Sequence, residues 1–359
     1  MNTFKNEFQV IQNLYETQAL PRLNTLKEIS TTRPIILYGA GATGDLTADL
    51  YLELGIRVEC FCDSYAKGIH KNGLRIISPD EMKANYPNSM IVITGVAFYD
   101  AIYKYLRSLE FTDEQITRTP ALYSYKTIEP HLNGYEWAYD FFTDAASKAI
   151  ILQRLESFLL ATPCPYSLPT EMYFEQTLIR LSDNEVFVDC GAFTGDTVED
   201  FIKRVNSYKH IYAFEPEAQN GVIIEKNLSL YPNITVIHKG VWDVETELRF
   251  SAGNSIASRL EDSGTTIIPV TTIDNIFSGN QLSDMPTFIK MDIEGAEFEA
   301  LSGAKHIIEL ARPKLAICIY HKIEDIYKLT QLIHSFRSDY KFALRQYRVS
   351  VFDTVLYAV

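Results

Sequence analysis

Hydrophobic and polar positions change their period along this chain, and each change marks a new kind of element. Phe4, Phe8, Ile11 and Tyr15, then Leu23, Leu26 and Ile29, recur at helical spacing, and Pro21 between the two groups predicts a short helical hairpin within residues 1–32. The period then shortens. Residues 34–38 are an unbroken apolar run of buried-strand length, 39–44 a glycine-rich turn, 45–54 a helix and 58–62 a second strand, which together make one βαβ unit. A helix over 79–84 and a strand over 90–94 extend it, so residues 33–128 read as a small parallel α/β domain.

Residues 129–169 carry helical patterns, including 145–160, and end in a stretch whose three prolines (Pro163, Pro165 and Pro169) deny regular structure. This is the expected domain boundary. A second alternation follows over 170–359: a helix over 171–181, strand 186–189, helix 197–205, strand 211–214, helix 218–230 and strand 234–238. Strands at 288–291 and 315–319 come next, and 340–346 with 353–358 form a closing antiparallel pair. The expected fold class is α/β, with two doubly wound Rossmann-like domains.

Composition narrows the function. The 359 residues are 47% hydrophobic and 22% charged, ordinary values for two globular domains. The net charge of −13, with no lysine and arginine run to offset it, disfavours nucleic acid and anionic membranes as partners. Five scattered cysteines, with no second pair to accompany Cys60 and Cys62, fit reduced thiols in a cytoplasmic protein better than a disulfide framework or a zinc site. No apolar run reaches the roughly 18 residues that a membrane span requires.

Candidate chemistry starts at the strand over 186–189. It ends in Asp189, and the chain passes through Gly191, Ala192 and Gly195 to Asp196 and Thr197 at the next helix. Glycines there allow close backbone approach to a ligand, and an acidic strand end with helix-start N–H groups suits the ammonium and carboxylate of S-adenosylmethionine. A plain tight turn is the other reading of this stretch. The next strand ends in Glu215, placed to accept from both ribose hydroxyls or merely to complement the following helix. Gly240, Val241 and Trp242 follow the third strand where adenine would lie, although a core tryptophan accounts for Trp242 equally well.

These motifs are joined by the run Ile289 to Glu297, which reads K-x-D-x-E-G-x-E from Lys290, by Leu301 and Gly303 behind it, and by the stretch Thr271 to Asp274 before it. Together they resemble the FkbM family of S-adenosylmethionine-dependent O-methyltransferases over about residues 170–359. The resemblance implies a class I methyltransferase fold with an antiparallel C-terminal hairpin. It also implies methyl transfer to a hydroxyl, often on a sugar or a polyketide-like natural product.

An alcohol becomes a good nucleophile only as its proton leaves. On strand 288–291, alternation puts Lys290 and Asp292 on one side, with Asp292 at the C-terminal edge; the strand over 315–319 ends at the same edge in Tyr320 and His321. In the strand order that the resemblance implies, these two strands are neighbours about 4.8 Å apart, which would let Asp292 and His321 converge on one acceptor hydroxyl. The expected roles are His321 as general base, Asp292 orienting it or the acceptor, and Glu294 binding acceptor or cofactor. The plainer reading has Asp292 capping the helix near Gly295 and His321 as a hydrogen-bonded strand-end histidine. Magnesium or manganese on Asp292, Glu294 and His321 is disfavoured for want of a second carboxylate cluster, and no metal is expected. The small polar loop over 251–258 reads as an acceptor-binding segment or an ordinary connector.

At the front, Gly39, Gly41 and Gly44 fit G-x-G-x-x-G between a strand and a helix, with Asp63 at the next strand end. NAD or a nucleotide sugar is the implied ligand, with Asp63 on a ribose; the stretch resembles the small Rossmann-like domain before the catalytic part of some sugar-modifying transferases, which favours the nucleotide sugar. A structural unit or homodimer contact is the alternative. Three functions therefore stand at this point. One is a methyltransferase for a small-molecule or sugar-containing acceptor (a sugar, glycan or nucleotide sugar). The second is an NAD(P)-dependent sugar-nucleotide oxidoreductase or epimerase, which lacks a recognisable Tyr-x-x-x-Lys pair. The third is a non-catalytic nucleotide-binding protein.

Overall fold

The structure, a computed structural model, describes residues 3–70, 72–164, 172–250 and 266–359. It divides into two compact units. The first comprises Met1–Asp140, Lys148–Pro165 and Val349–Val351, and the second Phe141–Ser147, Tyr166–Arg348 and Phe352–Val359. The polar loop over 251–258 lies outside the described residues. Among those described, no helix is long and apolar enough to cross a membrane.

The first unit begins with α1 (Thr3–Leu14) and α2 (Leu20–Ile29), joined by a π-helical turn over Tyr15–Ala19 in which the Leu20 N–H donates to the Tyr15 carbonyl five residues back. The expected hairpin is therefore one continuous helical run. Pro21 explains the difference: it lacks an N–H and crowds the preceding turn, and a local widening next to the first turn of α2 relieves both problems without breaking the helix. Phe4, Phe8, Ile11, Tyr15, Leu23 and Leu26 are all buried.

The same unit continues through β1 (Ile35–Tyr38), α3 (Ala42–Leu54), β2 (Cys60–Cys62), β3 (Gly68–Ile69), β4 (Arg75–Ile77), α4 (Pro79–Asn85), β5 (Met90–Ile93), α5 (Tyr99–Ser108) and β6 (Ile116–Arg118). The strand order is β3-β4-β2-β1-β5-β6, parallel except for the β3–β4 pair. Helices α6 (Tyr125–Ile128), α7 (Leu132–Phe141) and α8 (Ala145–Leu160) follow.

In the second unit the order is β7 (Val186–Cys190), α9 (Asp196–Arg204), β8 (His210–Phe214), α10 (Ala218–Leu228), β9 (Ile234–Ile237), β10 (Gly240–Val241), β11 (Thr246–Phe250) and β12 (Thr266–Thr271). Then come α11 (Ile273–Ile276), β13 (Phe288–Met291), α12 (Glu297–Ser302), α13 (Lys305–Ala311), β14 (Lys314–Cys318), α14 (Asp325–Phe336), β15 (Phe342–Gln346) and β16 (Thr354–Ala358). The seven-stranded sheet runs β15-β16-β14-β13-β7-β8-β9, and β10-β12-β11 forms a small second sheet. Among the described residues of the large sheet, β16 runs antiparallel to both of its neighbours, β14 and β15, and the other pairs are parallel. Strands after β7 are laid down first on one side and then on the other, so the C-terminal edges of β7 and β13 flank the reversal point where such sheets bind ligands.

Phe187 stacks on Phe201 and Phe288 at ring separations of 4.6 and 5.0 Å, beneath that edge. At the opposite edge the buried Glu185 carboxylate accepts from the Ser182 N–H at 2.7 Å and from Thr287, and pairs with Lys314 at 2.5 Å. The helix expected over 171–181 is absent: its described part, 172–181, forms turns. Tyr173 has φ of +70°, outside helical space, and the buried Glu175 is drawn to Arg345 on β15 at 3.1 Å. Those long-range contacts override the local apolar spacing.

Candidate active site

The turn after β7 is clamped from two sides. The N–H groups of Gly191 and Ala192 both donate to the Phe214 carbonyl at the end of β8, at 3.1 and 3.0 Å. Gly191 has φ of +82°, and a Cβ there would collide with the Asp292 carbonyl oxygen at the end of β13, so only glycine fits. Gly195 precedes α9, whose first turn holds Asp196 and Thr197 and carries N–H groups that precede the helix's first internal bond, Glu199 to Gly195. Glu215 leaves β8 and turns back over the loop. One of its oxygens accepts from the Phe193 N–H and the other from the Glu217 N–H, both at 2.9 Å, so its carboxylate retains acceptor capacity. Burial raises the Glu215 pKa against the lowering effect of those N–H groups. Gly240 and Val241 form β10, a Cβ on Gly240 would crowd Val270 at 3.1 Å, and the backbone N–H of the half-buried Trp242 donates to the Thr271 carbonyl at 2.9 Å.

Asp189 stands apart from these residues. It is wholly buried and faces Lys290, its register partner on β13, whose ammonium lies 2.8 Å from Asp189 Oδ1. Lys290 also donates to the Gly191 carbonyl at 2.9 Å, and the Tyr173 ring lies 5.2 Å from the ammonium. Burial alone would lower the Lys290 pKa, but the charges of Asp189 and Asp292 outweigh it and raise the value.

Past β13 the chain turns sharply through Glu294 and Gly295, with φ of +58° and +99°. Asp292 accepts from the Tyr173 hydroxyl at 2.8 Å and the Tyr320 hydroxyl at 3.0 Å. Burial pushes its pKa up, yet Lys290, His321 and those hydroxyls hold it below the ordinary carboxylate value. His321 sits among three carboxylates: Nε2 is 3.4 Å from Asp292 and 3.5 Å from Glu294, and Nδ1 is 3.1 Å from the buried Glu297. Burial would lower its pKa; the contact with Glu297 and the charges of all three acids prevail and raise it to about 9. Partial burial also raises the pKa of Glu294, whose side chain is 47% exposed, against the pull of His321. Asp292, Glu294 and His321 are thus brought together. Tyr173, Tyr320 and Glu297 were not anticipated as site residues, although the K-x-D-x-E-G-x-E spacing already held Glu297 next to the turn that aims it at His321.

The front glycine loop has a related construction. Gly39, with φ of +112°, donates to the Cys62 carbonyl at 2.8 Å, Gly41 precedes α3, and Gly44 within α3 packs against the Gly39 carbonyl. Asp63 accepts from the Ala40 N–H at 3.0 Å on one oxygen, and from the Tyr65 and Ala66 N–H groups at 2.8 and 3.0 Å on the other. In both units an acid after the second strand latches the glycine loop after the first. Asp63 has given more of its acceptor capacity to the backbone than Glu215 has.

The large sheet, with one antiparallel strand and a latched glycine loop at its reversal point, has a methyltransferase-like fold. Residues 189–344, all in the second unit, match the family model of the methyltransferase FkbM domain. A crystal structure of Methyltransferase FkbM from Methylobacillus flagellatus KT shares the fold, with a TM-score of 0.70 and 24% identity over 99% of each chain. Two fainter likenesses are an rRNA methylase from Streptococcus thermophilus and an Aeropyrum pernix fibrillarin bound to S-adenosyl-L-methionine. The first has a TM-score of 0.33 and 17% identity over 50% of this chain and 87% of its own; the second has 0.35 and 10% over 52% and 73%. No curated protein matches the chain.

Proposed function

We propose that the second unit transfers the methyl group of S-adenosylmethionine to a hydroxyl oxygen of a small, sugar-containing acceptor. The observation that carries this reading is the packing of the Asp292 carbonyl onto Gly191, which sets the Asp292, Glu294 and His321 side chains against the loop that would hold the methyl donor. The residues present fit that donor: Glu215 keeps acceptor capacity for ribose hydroxyls, and the α9 first turn offers N–H groups to a carboxylate. When bound, S-adenosylmethionine supplies an electrophilic methyl group.

The chain's own residues then divide the work. Glu294, half-exposed and with a raised pKa, takes the acceptor proton. The acids around His321 raise its pKa to about 9, which makes it a poorer proton acceptor than Glu294 near neutral pH and leaves it to position the carboxylates around it. Asp292, oriented by Tyr173 and Tyr320, accepts a hydrogen bond from the acceptor. The three carboxylates of Asp292, Glu294 and Glu297 around one imidazole favour a neutral, polyhydroxylated acceptor over an anionic one.

Calorimetry with S-adenosylmethionine, followed by transfer of labelled methyl to a panel of free and nucleotide-linked sugars, tests the proposal. Saturable cofactor binding and label on a sugar oxygen are expected. Absence of cofactor binding would overturn it.

A further inference from the structure

We propose that Asp292, Glu297 and His321 form a binding site for a first-row divalent cation. One ligand atom from each of the three lies within 4.8 Å of the other two. A cation with ligands at about 2.1 Å spaces neighbouring ligand atoms about 3 Å apart and opposed ones about 4.2 Å apart, so small side-chain rotations close the shell. The residues come from the strand ends after β13 and β14, which are paired neighbours in the sheet, and from the start of α12, just past the turn that follows β13.

Two further observations point to a ligand rather than to an ordinary polar cluster. The Glu297 side chain is 1% exposed, and its Oε2 has no hydrogen-bond donor among the described residues; Oε1 accepts from the Ile293 N–H at 3.0 Å. The His321 side chain is 8% exposed, and neither ring nitrogen makes an aligned hydrogen bond among the described residues, although carboxylate oxygens stand within 3.1 to 3.5 Å of it. Buried groups of this kind are ordinarily satisfied. The local charge is also unbalanced. Asp292, Glu294 and Glu297 surround one imidazole, the Lys290 charge is shared between Asp189 and Asp292, and the buried Asp325 carboxylate lies just beyond on the Lys322 N–H at 2.8 Å. A divalent cation removes the imbalance. Two carboxylates with one imidazole, which releases its proton to solvent as the ion binds, suit manganese, iron or zinc, while calcium prefers an all-oxygen shell. The site stands on these three residues alone and does not depend on which acceptor is methylated.

The test uses the full-length protein, stripped with a chelator and titrated with Mn2+ while the free-ion electron paramagnetic resonance signal is followed. One saturable Mn2+ per chain is expected, and the pulsed spectrum of the bound ion should show coupling to an imidazole nitrogen. His321→Gln and Glu297→Gln, each checked by circular dichroism for retention of fold, should weaken binding at least ten-fold. Lack of saturable binding by the wild type, lack of nitrogen coupling, or wild-type affinity in a folded His321→Gln variant would each overturn the proposal. S-adenosylmethionine calorimetry on the stripped protein separates that failure from failure of the methyltransferase reading.

Discussion

Lys290 Nζ lies 2.8 Å from Asp189 Oδ1 across the neighbouring strands β13 and β7, and both side chains are sealed from solvent. Removing either partner strands a charge in the core. Lys290→Met and Asp189→Asn should each cost about 3–5 kcal/mol, whereas the double change Lys290→Met with Asp189→Leu should recover much of the loss. Urea denaturation of the three variants checks this, and a single-variant loss below about 1 kcal/mol would contradict it.

Glu185 predicts an acid-sensitive sheet. Its burial raises the pKa, but Lys314, Thr287 and the Ser182 N–H lower it below the ordinary 4.5. A carboxyl whose folded pKa lies below the unfolded value contributes its full stability above the unfolded pKa. That contribution is lost as pH falls through the folded value. Melting temperatures measured from neutral pH downward should therefore fall below about pH 4.5 in the wild type, and Glu185→Gln should be less stable at neutral pH with a shallower decline.

Glu215→Gln removes the charge from the proposed ribose acceptor and leaves its shape. Hydrogen bonds to a charged group contribute about 1.5–3 kcal/mol each, so S-adenosylmethionine should bind at least about ten-fold more weakly. Calorimetry measures this without an acceptor, and unchanged affinity would remove Glu215 from the cofactor site.

Glu294→Gln should lower turnover by about 10²- to 10⁴-fold with cofactor affinity unchanged, the signature of a lost proton acceptor. If Glu294→Gln retained full turnover while His321→Ala abolished it, the base would be His321 instead.

Strands β7 and β13 were legible because Val186, Phe187 and Val188, and Phe288, Ile289 and Met291, give short stretches dominated by apolar residues, and the acids and glycines at and after their ends stand at fixed offsets. The segment over 172–181 was not legible. Its apolar spacing mimics a helix, while its conformation is set by Tyr173 meeting Asp292, 119 residues away, and Glu175 meeting Arg345, 170 residues away. The raised pKa of His321 was hidden for the same reason: Asp292, Glu294 and Glu297 have to be folded around the ring before their charges act on it. Pro21 misled in the opposite sense, since a hydrogen-bond shift of one residue absorbs a proline that the sequence marks as a break.

The Asp292 carbonyl occupies the space that a side chain on Gly191 would need. That contact makes the donor loop and the acceptor wall a single mechanical part, without play between them. A substitution that pries the loop outward therefore also displaces the carboxylate on the other side of the seam, so cofactor grip and turnover shift together there and adaptation to a new acceptor has to come from residues beyond it.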